Sequence, residues 1–423
     1  MLAPLSPFDA YRSDLDRFSK RSEFGNADTV WLLLTHCLGR LSRVGDGVRE
    51  QLAVQSAEAL RDLIESSEIT GAGLTSHQND LRLIVAGLAV IDSRSGADAV
   101  SRASRGFAAR MAEAGALSVA YSVLGYARTA VVQASDRERG LLAADQARVA
   151  RQLGELDSSD ELYRMAALIG ERSGDQELQA RASLGRGVLA RVRGNYPKAR
   201  VFLHNGLTMA IAAGGRELQY FAHQGLTVVS GVTRDFDLGL EHGWAAFRLS
   251  DGDPTREAES LTNLAQLCLD AGYPAASLRS FLGALARTST LRIRLGALGG
   301  AALAAGQTGD RARLARLTLE ILDSVERSVL PFENAQALKN LAAAHMALGD
   351  EVSAERYRQE TLKIARTKGF YEVEMTCERM EIARAAKKPS AHDLESANID
   401  LVSTLQRFEP EADETAFALT RSG

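Results

Sequence analysis

The most suggestive chemical motif in the chain is Gly185-Arg-Gly187-Val-Leu-Ala190, which matches the dinucleotide-binding fingerprint G-x-G-x-x-A. That fingerprint holds a pyrophosphate only where a strand precedes it and a helix follows, because the backbone amides must meet the phosphates. The residues before it, Glu177–Leu184, have a helical pattern themselves. We therefore interpret these glycines as helix-contact residues and predict no cofactor.

Two other patterns could indicate a metal site, and neither matches one. The segment Asp235-Phe-Asp237-Leu-Gly239-Leu-Glu241 lacks the third acid and the glutamate spacing of a calcium loop, so it is interpreted as an acidic helix start. The seven histidines, at 36, 77, 204, 223, 242, 345 and 392, show no H-x-x-H or HExxH spacing. We predict no metal site, no catalytic residue and no enzyme activity. A carboxylate pair brought together by the fold is left open.

The composition sets the class of protein. The 423 residues are 45% hydrophobic and 25% charged, which is typical of a folded chain, and the net charge of −4 gives no footprint for nucleic acid. The three cysteines lie far apart, which favours a reducing compartment. No signal peptide is predicted, and apolar stretches such as Leu81–Ile91 are too short to span a membrane. The expected location is the cytoplasm.

An internal repeat explains most of the sequence. In the clearest unit, Ala180–Ala210, one helical stretch ends at Gly194, and Ala199 and Leu203 then recur at a spacing of four. Equivalent turns are predicted at Gly115, Leu156, Gly194, Arg234, Ala271, Gly309 and Gly349, with gaps of 41, 38, 40, 37, 38 and 40 residues. Four prolines fall at predicted helix starts, where the missing N–H is tolerated: Pro197, Pro254, Pro274 and Pro331.

This pattern resembles the tetratricopeptide repeat, in which a small residue, a Gly-Asp/Asn-aromatic turn and a second small residue join two close helices. The length of the units is similar to the 40-residue variety common in bacterial sensory and regulatory proteins. The resemblance implies an all-α, right-handed α-solenoid of about nine or ten antiparallel helix pairs. We predict irregular pairs at 1–96, regular repeats at 97–368, capping helices at 369–409 and a disordered tail at 410–423.

The resemblance also implies a function. The expected protein is a non-catalytic bacterial adaptor or scaffold that binds a protein or peptide, with no nucleic acid and no membrane insertion. The alternative is a regulatory sensor that acts through a separate output protein, because the chain shows no helix-turn-helix or ATPase motif. Self-association through the terminal repeats is left open.

The first helix of each pair lines the concave face of such solenoids, and that face is the usual binding groove. The arginines placed there are suited to an acidic peptide or a C-terminal carboxylate, and the alternative is a solvated helix face. Lys339 and Asn340 are adjacent, so they do not reproduce the carboxylate clamp of some tetratricopeptide modules. The predicted binding residues are Arg102, Arg105, Arg181, Arg191, Phe221, Gln224, Thr262, Lys339 and Asn340.

Dense glycines at 299, 300 and 306 also map to this face. Glycine in a helix costs about 1 kcal/mol relative to alanine, so another factor must favour it. Close helix packing is favoured over a backbone left open to a ligand.

Overall fold

The computed structural model of the chain describes residues 83–84, 86–113 and 115–385. The predicted irregular pairs before residue 83, the second capping helix and the tail beyond 385 lie outside the described residues. Within the described part there is no strand. No helix there combines the length and apolar character needed to cross a bilayer.

Fifteen helices follow a short helical stretch at 83–84 and 86–88. They are α1 (Arg94–Glu113), α2 (Leu117–Ala130), α3 (Asp136–Leu153), α4 (Leu156–Ser173), α5 (Gln176–Val192), α6 (Tyr196–Ala212), α7 (Arg216–Val232), α8 (Phe236–Arg248), α9 (Pro254–Asp270), α10 (Pro274–Leu285), α11 (Leu291–Gln307), α12 (Arg311–Arg327), α13 (Pro331–Ala347), α14 (Glu351–Lys368) and α15 (Tyr371–Ala385).

Successive helices pack as pairs, which makes the described chain an α-solenoid. The first helices, called A helices below, are α1, α3, α5, α7, α9, α11, α13 and α15; the second helices are called B helices. A helices begin 42, 40, 40, 38, 37, 40 and 40 residues apart, which confirms the predicted repeat length to within one residue. The described residues contain seven complete pairs and the first helix of an eighth.

Every turn from an A helix to its B helix in these seven pairs has the same construction. One residue has a positive φ, and its neighbour's N–H donates to a carbonyl five residues back, as Asn195 does to Ala190 at 2.8 Å. This is the Schellman motif, which satisfies the last carbonyls of the first helix. The positive-φ residues are Gly115, Gly154, Gly194, Arg234, Gly272, Gly309 and Gly349.

The predicted turns are therefore correct at five positions, and Gly272 is one residue from the predicted Ala271. The prediction at Leu156 is wrong by two residues, because the turn lies at Gly154 and Leu156 already begins α4. The four prolines occupy first-turn positions of α6, α9, α10 and α13, as predicted.

Glycines let the helices approach closely, which settles the two interpretations left for α11. A Cβ on Gly300 would lie 2.2 Å from the Phe281 ring, and one on Gly306 would lie 2.5 Å from the carbonyl oxygen of Ala344. Close packing is the observed reason for this glycine density. The fingerprint glycine Gly187 is likewise inside α5, and its Cβ would lie 2.8 Å from Leu203.

The chain divides into two compact units within α5, at Ala182 and Ser183. Unit 1 contains the described helices up to Ala182, and unit 2 contains those from Ser183 onward. Each unit is described separately below.

Candidate partner-binding surface

In unit 1, the predicted residues Arg102 and Arg105 on α1 pair with acids on the next A helix, α3. Arg105 Nε lies 2.7 Å from Asp145, and its Nη1 lies 3.3 Å from Glu138. Arg102 Nη1 lies 3.5 Å from Glu138, with 58% of the Arg102 side chain exposed. These arginines therefore join neighbouring repeats, and Arg102 keeps most of its surface in solvent.

The third predicted arginine of unit 1, Arg181, lies on α5. Its Nη2 is 3.9 Å from Glu177, one helical turn away. Arg137 of α3 reaches the same acid and also Asp175, each at 2.5 Å. These two bonds raise the pKa of Arg137 and keep it charged. Arg181 is thus placed beside the link between α3 and α5.

In unit 2, the predicted residue Arg191 brings together distant parts of the sequence. Its Nη1 lies 2.9 Å from Glu372 on α15, which is 181 residues away. Its guanidinium carbon lies 5.2 Å from the centre of the Phe332 ring on α13. Both charged side chains are largely buried, at 13% and 9% exposed. The first and last described A helices of unit 2 therefore touch each other.

Asp270, at the end of α9, lies within electrostatic reach of that contact. Desolvation by the surrounding helices raises its pKa to about 6, although the side chain is solvent-accessible. Lys339 and Arg234 act in the opposite direction, and Glu372 adds to the rise. The predicted residue Lys339 also donates a hydrogen bond to Gln336 at 2.6 Å. Arg191, Asp270, Lys339 and Glu372 are called the charged cluster below.

A hydrogen-bonded network crosses three A helices of unit 2. The predicted residue Gln224 donates to the Tyr220 hydroxyl at 2.9 Å and to Ser260 at 2.7 Å. The Tyr220 hydroxyl donates to Glu259 at 2.9 Å, and Glu259 pairs with Arg292 at 2.7 Å. These five residues of α7, α9 and α11 are called the polar network below.

The network holds its charges in place. Desolvation opposes ionisation of Glu259, but Arg292 outweighs it and holds the pKa of Glu259 below its usual value. Burial and the neighbouring Glu259 raise the pKa of Tyr220, so its hydroxyl keeps its proton. Arg292 stays charged because Glu259 raises its pKa. The network therefore consists of the Glu259–Arg292 ion pair and the neutral donors and acceptors bonded to it, and each group keeps its protonation state.

The three remaining predicted residues also lie on A helices of unit 2: Phe221 on α7, Thr262 on α9 and Asn340 on α13. Phe221 is partly exposed and meets the Tyr220 ring edge-on at 5.3 Å. Thr262 bonds to the Ala258 carbonyl of its own helix. Asn340 is buried, with its amide nitrogen 3.4 Å from where a Cβ on Gly299 would lie. These residues belong to no common hydrogen-bonded group.

Sequence reasoning missed the acids and the tyrosine that partner the predicted residues. Asp145, Glu259 and Ser260 each lie one repeat beyond their partners, at separations of 40, 39 and 36 residues. That separation is a usable signal, because equivalent positions of successive A helices are neighbours. The contact between Arg191 and Glu372 has no such signal, since five repeats separate the two residues.

No protein-family model matches this sequence, and a search of curated proteins finds no match. Among solved structures, the chain is similar to a signal transduction ATPase with numerous domains (STAND) that carries a tetratricopeptide repeat sensor, from Pyrococcus horikoshii. Identity is 11%, the TM-score is 0.41, and the match covers 89% of this chain and 75% of that one. For the TPR domain of P58(IPK), identity is 13%, the TM-score is 0.22, and coverage is 84% and 99%.

These likenesses are too distant to carry an argument about function. The helix pairs, their repeat length and their shared turn construction define the class. The chain is a tetratricopeptide-like helical repeat protein.

Proposed function

We propose that the chain is a non-catalytic adaptor that holds a protein or peptide against the A helices of unit 2. The observation that carries this proposal is the polar network together with the charged cluster. Packing two helices needs only apolar and small residues, and desolvating charged or polar groups costs free energy unless they are paired. The network places Arg292 with 38% of its side chain exposed, and the charged cluster adds the half-buried Lys339 and the exposed Asp270. Charged groups of both signs on these helices suit the charged side chains of a polypeptide.

Site-specific photo-crosslinking tests the placement. A photoreactive amino acid replaces Thr262 or Phe221 on the A helices, and Leu319 or Val352 serves as the matched B-helix control, because both controls are exposed. The expected result is one crosslinked partner recovered from the A-helix positions only. Equal recovery from the controls, or recovery from the controls alone, contradicts the proposal.

The contact between Arg191 and Glu372 supports a regulatory sensor as the second candidate. A ligand that binds Arg191 or Glu372 competes with their ion pair, and a structural change that follows the loss of this pair can be passed to an output protein. The expected signature is faster hydrogen exchange in α15 when the ligand binds. Unchanged exchange in α15 with a saturating ligand favours the plain adaptor.

The proposal places this binding in the cytoplasm and leaves self-association to be measured. Light scattering of the purified full chain gives its mass in solution. A monomer is expected if the partner occupies the surface, and a stable dimer directs the search toward contacts between copies.

A further inference from the structure

Three of the seven histidines meet in unit 2, although each is 19 residues from the next in sequence. His204 lies on α6, His223 on α7 and His242 on α8. The Nδ1 atoms of His223 and His242 are 3.0 Å apart, and their ring centres are 5.1 Å apart. The ring of His204 lies 6.0 Å from that of His242. This histidine cluster is separate from the polar network and the charged cluster.

The distance between the two Nδ1 atoms fits a shared metal ion. At metal–nitrogen bonds of about 2.0–2.1 Å, two nitrogens on one ion lie about 2.9 Å apart at a right angle and about 3.4 Å apart at a tetrahedral angle. The observed 3.0 Å lies between these values. Without a metal, the same distance is a hydrogen bond in which one neutral ring donates to the other.

Burial affects the pKa values of both rings. Burial lowers the pKa of His223 to about 4, with a further contribution from His242, Arg248 and His204. Burial and His204 also lower the pKa of His242, against the effect of Glu241 and Asp235. Binding moves the proton of the donating ring from Nδ1 to Nε2 and releases none.

His204 is the candidate for a third nitrogen ligand, because its ring centre lies 6.0 Å from that of His242. In the present side-chain positions, the described residues contain no group of three or more histidines, cysteines or acids that forms a metal site. His204 is exposed, and its ring is about 1 Å farther from His242 than the His223 ring is, so its role as a ligand requires a rotation of its side chain toward His242.

We propose that His223 and His242, joined by His204, bind one first-row divalent transition-metal ion. Neutral imidazoles favour Cu²⁺, Ni²⁺ and Zn²⁺, with Cu²⁺ held most tightly of the three. The Nε2 atom of His242 is buried and has no hydrogen-bond partner among the described residues, so this ligand lacks the second-shell support of the tightest sites. The ion links α6 to the α7–α8 pair and stabilises unit 2 by mass action.

Calorimetric titration of the metal-free full chain with CuCl₂, NiCl₂ or ZnCl₂ at pH 7 tests the proposal. We expect His223→Ala and His242→Ala each to weaken binding at least about tenfold, because losing a ligand costs more than losing its second-shell partner. His204→Ala is expected to have a smaller effect. His345→Ala is the matched control, because His345 bonds to Asp350 in the last complete pair.

Electron paramagnetic resonance of the Cu²⁺-loaded wild-type chain gives a readout that needs no variant. The proposal predicts hyperfine splitting from two or three nitrogens. Absence of nitrogen splitting overturns it, as does wild-type affinity equal to that of the His223→Ala/His242→Ala double variant. Equal losses in His345→Ala also overturn it, because they place the ion elsewhere.

Discussion

The two units join their A helices in different ways. In unit 1, the described cross-links connect one A helix to the next, as Arg105 does with Asp145 across 40 residues. Unit 2 has links of this kind, such as Tyr220 with Glu259, and in addition the contact of Arg191 with Glu372 across 181 residues. Solenoids are usually held by neighbouring repeats alone. Unit 2 therefore has a long-range contact in addition to the contacts between neighbouring repeats.

The largest expected effect is on the free energy of unfolding, when a closely packed glycine in each unit is replaced by alanine. In unit 2, a Cβ on Gly300 meets the fully buried ring of Phe281 at 2.2 Å. In unit 1, a Cβ on Gly140 meets the end of the flexible Leu178 side chain at the same distance. We expect Gly300→Ala to lower the free energy of unfolding by about 3 kcal/mol and Gly140→Ala by about 1 kcal/mol, because the ring cannot move aside.

Chemical denaturation of both variants measures this difference. Gly349→Ala is the control for backbone strain, since that turn glycine has a positive φ and open space around it. Equal losses for Gly300→Ala and Gly140→Ala would contradict the distinction between rigid and flexible packing.

The next largest effect is on the affinity for a partner, which can be measured once that partner is identified. We expect Arg191→Ala and Lys339→Ala to weaken partner binding about tenfold, which corresponds to about 1.4 kcal/mol. Arg102→Ala and Arg105→Ala are expected to change the affinity less, because both arginines lie in unit 1 and the proposed surface lies on unit 2. Calorimetry measures all four. Equal losses in the two units would place the surface along all the A helices, as the sequence prediction has it.

The smallest effect is the pH dependence of unit 2. The pKa of Asp270 is raised from 3.8 to about 6, so between these values the folded chain binds more protons than the unfolded chain. The contribution of Asp270 to stability therefore rises as the pH falls from about 6 to about 4. Because Asp270 is exposed, solvent screening limits this gain to less than about 1 kcal/mol.

Asp270→Asn removes this contribution, so the stability of the variant relative to the wild-type chain is expected to be greatest at pH 7 and to shrink as the pH falls toward 4. Asp251→Asn is the matched control, because Asp251 is an exposed acid in a loop and bonds to Arg216. Thermal unfolding from pH 4 to pH 7 makes the comparison. A profile unchanged in Asp270→Asn would show that other groups dominate.

The fold was predictable because the repeat has local causes. A glycine with positive φ closes nearly every turn within a pair, and a proline lies in the first turn of four of the A and B helices. The turn near Leu156 was misplaced because Gly154-Glu155-Leu156 matches neither the Asp/Asn position nor the aromatic position of the Gly-Asp/Asn-aromatic pattern. Local signals of this kind are readable without any knowledge of tertiary structure.

The site was predictable only where it follows the repeat. Arg105 and Gln224 have partners one repeat away, which a search at that spacing could have found. The contact of Arg191 with Glu372 depends on the rotation of each helix pair relative to the next. Small rotations accumulate over five pairs, and the sequence does not give their size. The histidine cluster was missed because the search used ligand spacings within one helix, whereas three helices supply these rings.

A distance measurement between the ends of unit 2 tests the central claim, that its first and last described A helices meet. Spin labels carried by unnatural amino acids replace Lys198 and Glu378, both exposed and close in sequence to that contact. Pulsed electron paramagnetic resonance should give one short, narrow distance, and Arg191→Ala/Glu372→Ala should lengthen and broaden it. A long or broad distribution in the wild-type chain would contradict the claim.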